Sequence, residues 1–240
     1  MTDKLIVHYI YINKHDKYDT VIPEQVLNLK KLYVAYENLE FRIHNYTSLY
    51  EELKEYNAEY ARLVSKINPL LPAFIADIGR IFVLWKYGGI YHDVHFYINN
   101  IQFLLKVKDT IHKHGFVFES HPIKHRSYSC RNTNMAARKQ NPLFLKILQK
   151  QFENLQRIEQ ELIQDNNKRH NLWRELGIIF LEILLSESKL SNSEFTIKIV
   201  PNNEEFCFLW DLKNLPKFYN KPNMEDHWSA LQTKVCAMIV

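Results

Sequence analysis

The part of this chain that most restricts its fold runs from Pro72 to Phe96. Phe74, Ile75, Ile78, Ile81, Phe82, Leu84 and Trp85 recur at helical spacing and form a broad apolar stripe, with Phe82 and Trp85 read as core. Pro72 suits the first turn, where its missing N–H is not needed, and Gly88-Gly89 supplies residues that tolerate positive φ where the helix must stop. β-Branched and aromatic residues follow at once, from Ile90 to Phe96, and predict a strand whose end carries Asp93 and His95. A buried helix that feeds directly into a strand points to an α/β fold, with helices covering a sheet.

The flanks agree. Residues 5–12 read as a buried central strand, 23–36 as a helix and 39–43 as a second strand, an order that favours parallel pairing through helical crossovers. Ligands in such sheets lie beyond the carboxyl ends of the strands, which makes Asn13 and His44 expected neighbours of a site. Residues 48–66 read as helical, 116–119 and 127–131 as strands, 142–164 and 171–187 as long helices, and 194–200 and 205–209 as returning strands. With 46% hydrophobic residues, 5 Gly and 8 Pro, the 240 residues predict one folded domain with a sizeable core. Within it, residues 1–130 form the α/β core and 131–240 a helical portion that does not fold independently.

The 31 basic and 27 acidic residues leave a net charge of +4 spread along the chain, which is not the footprint of a nucleic-acid binder. Cys130, Cys207 and Cys236 are far apart and form no CxxC pair, so reduced thiols and a cytoplasmic location are expected. The apolar run at the start is only about eight residues, too short for a signal sequence or a spanning helix, and residues 176–185 are also too short. A lipid-linked substrate would therefore be met peripherally, at the inner face of a membrane.

Asp77 and Arg80 lie three apart on the predicted helix and share one side of it, away from much of the apolar stripe, where an exposed ion pair is the plainest reading. Asp93 and His95 face the same way if the strand stays extended. A carboxylate and an imidazole can hold Mn²⁺ or Mg²⁺, and such an ion can neutralise a diphosphate leaving group. His8 falls in the buried pattern of the first strand, as a hydrogen-bonded core histidine. His112, His114, His121 and His125 show no metal-ligand spacing and read as surface residues.

Asp77-Ile-Gly-Arg80, followed by Trp85-Lys-Tyr-Gly-Gly-Ile-Tyr91-His-Asp93-Val-His95, resembles the core of the DXD-type sugar transferases. That family includes fungal outer-chain mannosyltransferases, bacterial capsule and lipooligosaccharide transferases, and glucosylating clostridial toxins. Its core is an Asp, two residues, an Arg, an apolar helix and then Tyr-Gly-Gly-Ile-Tyr-x-Asp-x-Asp. The opening Leu5-Ile-Val-His-Tyr-Ile-Tyr is similar to the family's first strand. Looser likenesses follow in Cys130-Arg-Asn-Thr-Asn-Met-Ala-Ala-Arg with Asn141-Pro142, in Glu175-Leu-Gly177, and in Asp226-His227-Trp228-Ser229.

The resemblance implies a GT-A-like, Rossmann-like fold and a nucleotide diphosphate sugar, UDP- or GDP-linked, as donor. It implies that Asp77 and Arg80 hold the donor sugar's hydroxyls, that Tyr91 lies near the base or ribose, and that Asp93 bridges to ribose, sugar or metal. His8 and Tyr9, from the first strand, join the donor-binding candidates. His95 stands where the family has its second Asp, normally a metal ligand, and His227, beside Asp226, is the candidate third ligand. A ligating imidazole must be unprotonated, so activity is expected to fall below about pH 6. The implied reaction is metal-dependent, retaining transfer of a hexose or N-acetylhexosamine to a glycan or glycolipid acceptor, such as a bacterial surface polysaccharide or lipooligosaccharide. The alternatives are a glycosidase with paired carboxylates, a transferase with a protein acceptor, and a non-catalytic nucleotide-sugar or glycan binder in which His95 marks a degenerate site.

Overall fold

The structure, a computed structural model, describes residues 4–13, 18, 21–33, 38–94, 96–98, 101–120, 130–177, 180–181, 196–198, 206–208 and 235–239. The chain opens with β1 (Leu5–Ile10), α1 (Glu24–Tyr33) and β2 (Leu39–His44), the expected strand, helix, strand unit. Then come α2 (Tyr46–Tyr56), α3 (Ala58–Ser65), α4 (Pro72–Tyr87), β3 (Gly89–His92), β4 (Phe96–Ile98), α5 (Ile101–His114), β5 (Phe116–Ser120) and β6 (Cys130–Ala137). The remaining described elements are α6 (Pro142–Gln164), α7 (Leu172–Glu175), β7 (Thr196–Lys198) and β8 (Phe206–Phe208).

Among the described residues, six strands form one mixed sheet in the order β2-β1-β3-β6-β5-β7, and β4 pairs with β8 in a separate ribbon. β1 is parallel to both β2 and β3, while β6 runs antiparallel between β3 and β5. The boundary expected near residue 130 thus falls at the start of a strand in the middle of the sheet.

Side chains alternate across the strands, and each face has its own core. Val7, Tyr9, Ile90, Val117 and Ala136 meet Val26, Leu29 and Tyr33 of α1 and Leu104, Val107 and Ile111 of α5. Ile10, Tyr91, Phe116, Phe118, Met135 and Ala137 face the other way, onto residues of α2, α3, α4 and α6. A sheet covered on both faces buries each strand, so the strands read as nearly continuous apolar runs.

Several sequence expectations change. The helix expected over residues 48–66 is two helices, because Asn57 ends one and starts the next. Its backbone N–H bonds Leu53 O at 2.7 Å, while its side chain accepts from Tyr60 N at 2.9 Å. Helix α5 was not expected: its buried positions Leu104, Val107 and Ile111 are sparse among lysines and histidines. His112 is exposed and His114 half-buried at its end, whereas His121 and His125 lie outside the described residues. Of the strand expected over 127–131, residues 127–129 lie outside the described residues, and β6 runs from Cys130 on to Ala137. The helix expected over 171–187 is interrupted after Glu175 by a turn and bend at Leu176-Gly177. Finally, the strand from Ile90 ends at His92, and the chain turns at Asp93-Val94.

The α4–β3 junction is as tight as its two glycines imply. Gly89 has φ 98°, and a Cβ there would stand 2.3 Å from the carbonyl oxygen of Ile6 on the neighbouring strand. Only glycine combines that backbone conformation with so close an approach.

Candidate active site

Asp77 and Arg80 are buried, at 7% and 6% exposure, which corrects the reading of an exposed pair. The polar edge of α4 faces the ends of β3 and β6 and not solvent. Arg80 Nη2 lies 3.0 Å from Asp77 Oδ1, and its Nη1 lies 3.4 Å from Asp93 Oδ1. The guanidinium is held from three more sides. Nη1 donates to the carbonyl of Asn132 at 2.5 Å and Nε to that of Ala76 at 3.2 Å, and the group stands 4.9 Å from the centre of the Tyr91 ring. An arginine can satisfy this many directions because its donors form a rigid planar fork that stays charged.

Asp77 Oδ1 also accepts the side-chain amide of Asn132 at 2.7 Å. Burial raises the Asp77 carboxyl from 3.8 to about 6; Arg80 and the Asn132 bond oppose the rise, and Asp93 adds to it. Asp93 sits where the chain leaves β3. Its backbone N–H bonds Thr133 O at 2.8 Å, and its Oδ1 accepts the Tyr91 hydroxyl at 2.5 Å. With both carboxylates ionised the cluster carries one net negative charge, which suits sugar hydroxyls or a cation.

The expected site residues thus fall into groups. Asp77, Arg80, Tyr91 and Asp93 come together around one guanidinium. Tyr91 is 1% exposed and its hydroxyl is committed to Asp93, so it supports that carboxylate. His95 and His227, and with them Asp226, Trp228 and Ser229, lie outside the described residues.

His8 and Tyr9 are both 0% exposed. His8 Nε2 donates to Gly88 O at 2.9 Å, so Nδ1 accepts from His44 Nε2 at 3.0 Å. Burial holds His8 down at about 3 and His44 at about 4, which keeps the pair neutral. Tyr9 points to the opposite face, where its hydroxyl pairs with that of Tyr33 at 2.8 Å. Both candidates from the first strand therefore sit in the cores flanking the site.

Asn132 is the residue that sequence reasoning missed. Its signal was the asparagine in the Cys130 to Arg138 segment, but nothing local showed that β6 would lie beside α4. Gly177, which the sequence offered only within the loose likeness of Glu175-Leu-Gly177, packs against the same carboxylate: a Cβ on it would lie 3.0 Å from Asp77 Oδ2.

Part of the chain is similar to known proteins. A family model described as the glycosyltransferase sugar-binding region containing a DXD motif matches residues 8–114. Among solved structures the chain is similar to the PaToxG glycosyltransferase, with 17% identity, 78% of this chain and 70% of that chain covered, and a TM-score of 0.48. It is also similar to the UDP-bound glycosyltransferase domain from the YGT toxin, with 12% identity, 70% of this chain covered and a TM-score of 0.35; the match spans 44% of that chain. No curated protein matches. The family model thus matches rather less than half of the chain, the part that carries Asp77, Arg80, Tyr91 and Asp93.

Proposed function

We propose that this protein transfers a hexose or N-acetylhexosamine from a UDP- or GDP-linked donor to a hydroxyl of a glycan or glycolipid, with retention of anomeric configuration. The observation that carries this reading is the buried pair Asp77 and Arg80, bonded to the half-buried Asn132 and set beside Asp93 near the carboxyl end of β3, with Asp77, Arg80 and Asp93 inside the matched region. Buried charge held by this many fixed partners is a preorganised polar surface, the arrangement that orients a polyhydroxylated substrate.

In this reading Asp77 accepts hydrogen bonds from the donor sugar, while Arg80 keeps that carboxylate ionised near neutral pH. The bond between the anomeric carbon and the diphosphate oxygen breaks, the acceptor hydroxyl's oxygen takes its place, and the hydroxyl's proton passes to an oxygen of the departing diphosphate. Asp93 fits a divalent cation: its Oδ1 is held by Tyr91 and Arg80, and the carboxylate is 24% exposed where the strand opens. Sequence position offers His95 as its partner, and His227 as a third. Mn²⁺ or Mg²⁺ bound there would neutralise charge on the departing diphosphate. No helix among the described residues is long and apolar enough to cross a membrane, so a lipid-linked acceptor would be reached peripherally, from the cytoplasm in this reading.

The test is turnover of UDP- and GDP-sugars by the purified protein, with and without Mn²⁺. Metal-dependent hydrolysis or transfer from one donor, abolished in Asp93→Ala, is the expected result. Absence of turnover and binding for every donor refutes the reading. If donor binds without turnover and His95→Asp restores it, the site is a degenerate one, the alternative that the Asp-x-His departure favours.

A further inference from the structure

β6 is irregular where it passes the candidate site. On its β5 side Phe118 pairs with Met135 and the next residue, Glu119, pairs with Arg131, so Asn132, Thr133 and Asn134 have no counterpart on β5 and form a bulge. Each of the three holds a different part of the site. Asn132 bonds Asp77 through its amide at 2.7 Å and Arg80 through its carbonyl at 2.5 Å. The Thr133 carbonyl accepts the backbone N–H of Asp93 at 2.8 Å. Asn134 Oδ1 accepts the Nδ1–H of His92, the last residue of β3, at 2.6 Å.

The bond between His92 and Asn134 lies on the far side of the sheet. Tyr91 and Asp93 turn toward Arg80 of α4, whereas His92, between them, turns toward Tyr9 in the layer under α1 and α5, with ring centres 5.9 Å apart. His92 is 1% exposed and Asn134 3%. A bonded polar pair in a largely apolar layer adds little net stability, because two apolar residues of the same shape do about as well there. What the bond supplies is a fixed place for the end of β3, where pairing with β6 stops and the chain turns at Asp93.

We propose that His92 and Asn134 are positioning residues for the Asp93 carboxylate, and that through it they set how well a divalent cation is bound with the donor diphosphate. The assignment rests on the transferase reading above. Asp93 follows His92 and Thr133 precedes Asn134, so the side-chain bond and the Asp93 N–H bond clamp two consecutive residues on each strand. Without the side-chain bond the turn starts from a strand end that can rotate, and coordination tolerates errors of only about 0.2 Å. Groups that orient a metal ligand from behind are typically worth about 10- to 100-fold in metal affinity.

The experiment is a calorimetric titration with UDP or GDP, whichever wild type binds, with and without Mn²⁺; the readout is the factor by which Mn²⁺ tightens nucleotide binding. Wild type is compared with Asp93→Ala, His92→Phe, Asn134→Leu, the His92→Phe, Asn134→Leu double variant and His92→Asn. The factor should fall by about 10- to 100-fold in each single variant, toward its value in Asp93→Ala, and no further in the double variant, since all three lose the same bond. His92→Asn, whose amide stands near the place of Nδ1, should keep most of it. Thermal unfolding separates positioning from a structural role. Each single change takes one partner from a buried polar group, whereas the double change removes both groups, so the double variant should regain stability without regaining the Mn²⁺ effect. It also carries the test where a single variant does not fold. A double variant that recovers both, folded variants that all respond to Mn²⁺ as wild type does, or wild-type nucleotide binding that Mn²⁺ does not change, overturns the positioning assignment and leaves sugar transfer standing. Wild type that binds neither nucleotide and no donor overturns the transferase reading, and the assignment falls with it.

Discussion

Replacing Arg80 by Met tests whether the site is organised around one buried cation. At an effective dielectric constant of about 20, attraction across the 3.0 Å and 3.4 Å separations from Asp77 and Asp93 is about 5 kcal/mol each, before the cost of desolvating the guanidinium. Removing one partner of such an arrangement leaves carboxylates without compensation and costs about 3–5 kcal/mol. The cost must also depend on pH. Asp77 already titrates at about 6 with Arg80 present, against 3.8 for an ordinary Asp. A folded-state value above the unfolded one favours the fold below about pH 4, and that contribution is lost as pH rises through 6. Without Arg80 the folded value climbs further, so Asp77 is neutral at about pH 5 and the variant loses less there. Urea unfolding of wild type and Arg80→Met should therefore give a difference of about 3–5 kcal/mol at about pH 8 that falls by at least half at about pH 5. Adding Asp77→Asn should recover part of the loss at the higher pH. A difference that is the same at both pH values, or below about 1 kcal/mol throughout, would refute the account of a cation compensating two carboxylates.

Three further outcomes are expected. His8, His44 and His92 are held neutral by burial, at about 3, 4 and 4, so stability present above pH 6.5 is lost as pH falls toward those values. For His92 alone the loss at about pH 5 is roughly 2 kcal/mol, and urea midpoints that do not fall between about pH 7 and 5 would contradict it. In Gly89→Ala the new Cβ meets Ile6 O at 2.3 Å in a left-handed backbone, and a loss of at least about 3 kcal/mol is expected; a variant with wild-type thermal stability would show that β1 and β3 can move apart. The kcat/KM profile should fall below about pH 6 as Asp77 takes up a proton, and the fall should persist in His95→Asp, whereas a fall due to His95 as a ligand disappears in that variant.

Much of the framework was legible because it is written in local chemistry. Helix α4 runs between the residues that sequence patterning named, Pro72 and Tyr87, since a proline, an apolar stripe and two glycines act within one stretch of chain. The βαβ start was equally plain. The helix over residues 48–66 was misread because composition stays helical across Asn57, and only the two hydrogen bonds of that residue reveal the break. Helix α5 was missed because its narrow apolar stripe is diluted by polar residues on the exposed side.

The candidate site divides the same way. Asp77, Arg80, Tyr91 and Asp93 could be gathered from sequence alone, as they lie on one continuous helix and strand whose periods and joint dictate their mutual placement. That Asp77 and Arg80 are buried, that Asn132 bonds both, and that a glycine after α7 must stand against the remaining oxygen of Asp77 were decided by tertiary structure. Local periodicity acts over a few residues and says which side chains share a face. It does not say which distant strand will pair beside that face, because sheet order depends on how two separate apolar cores are covered at once.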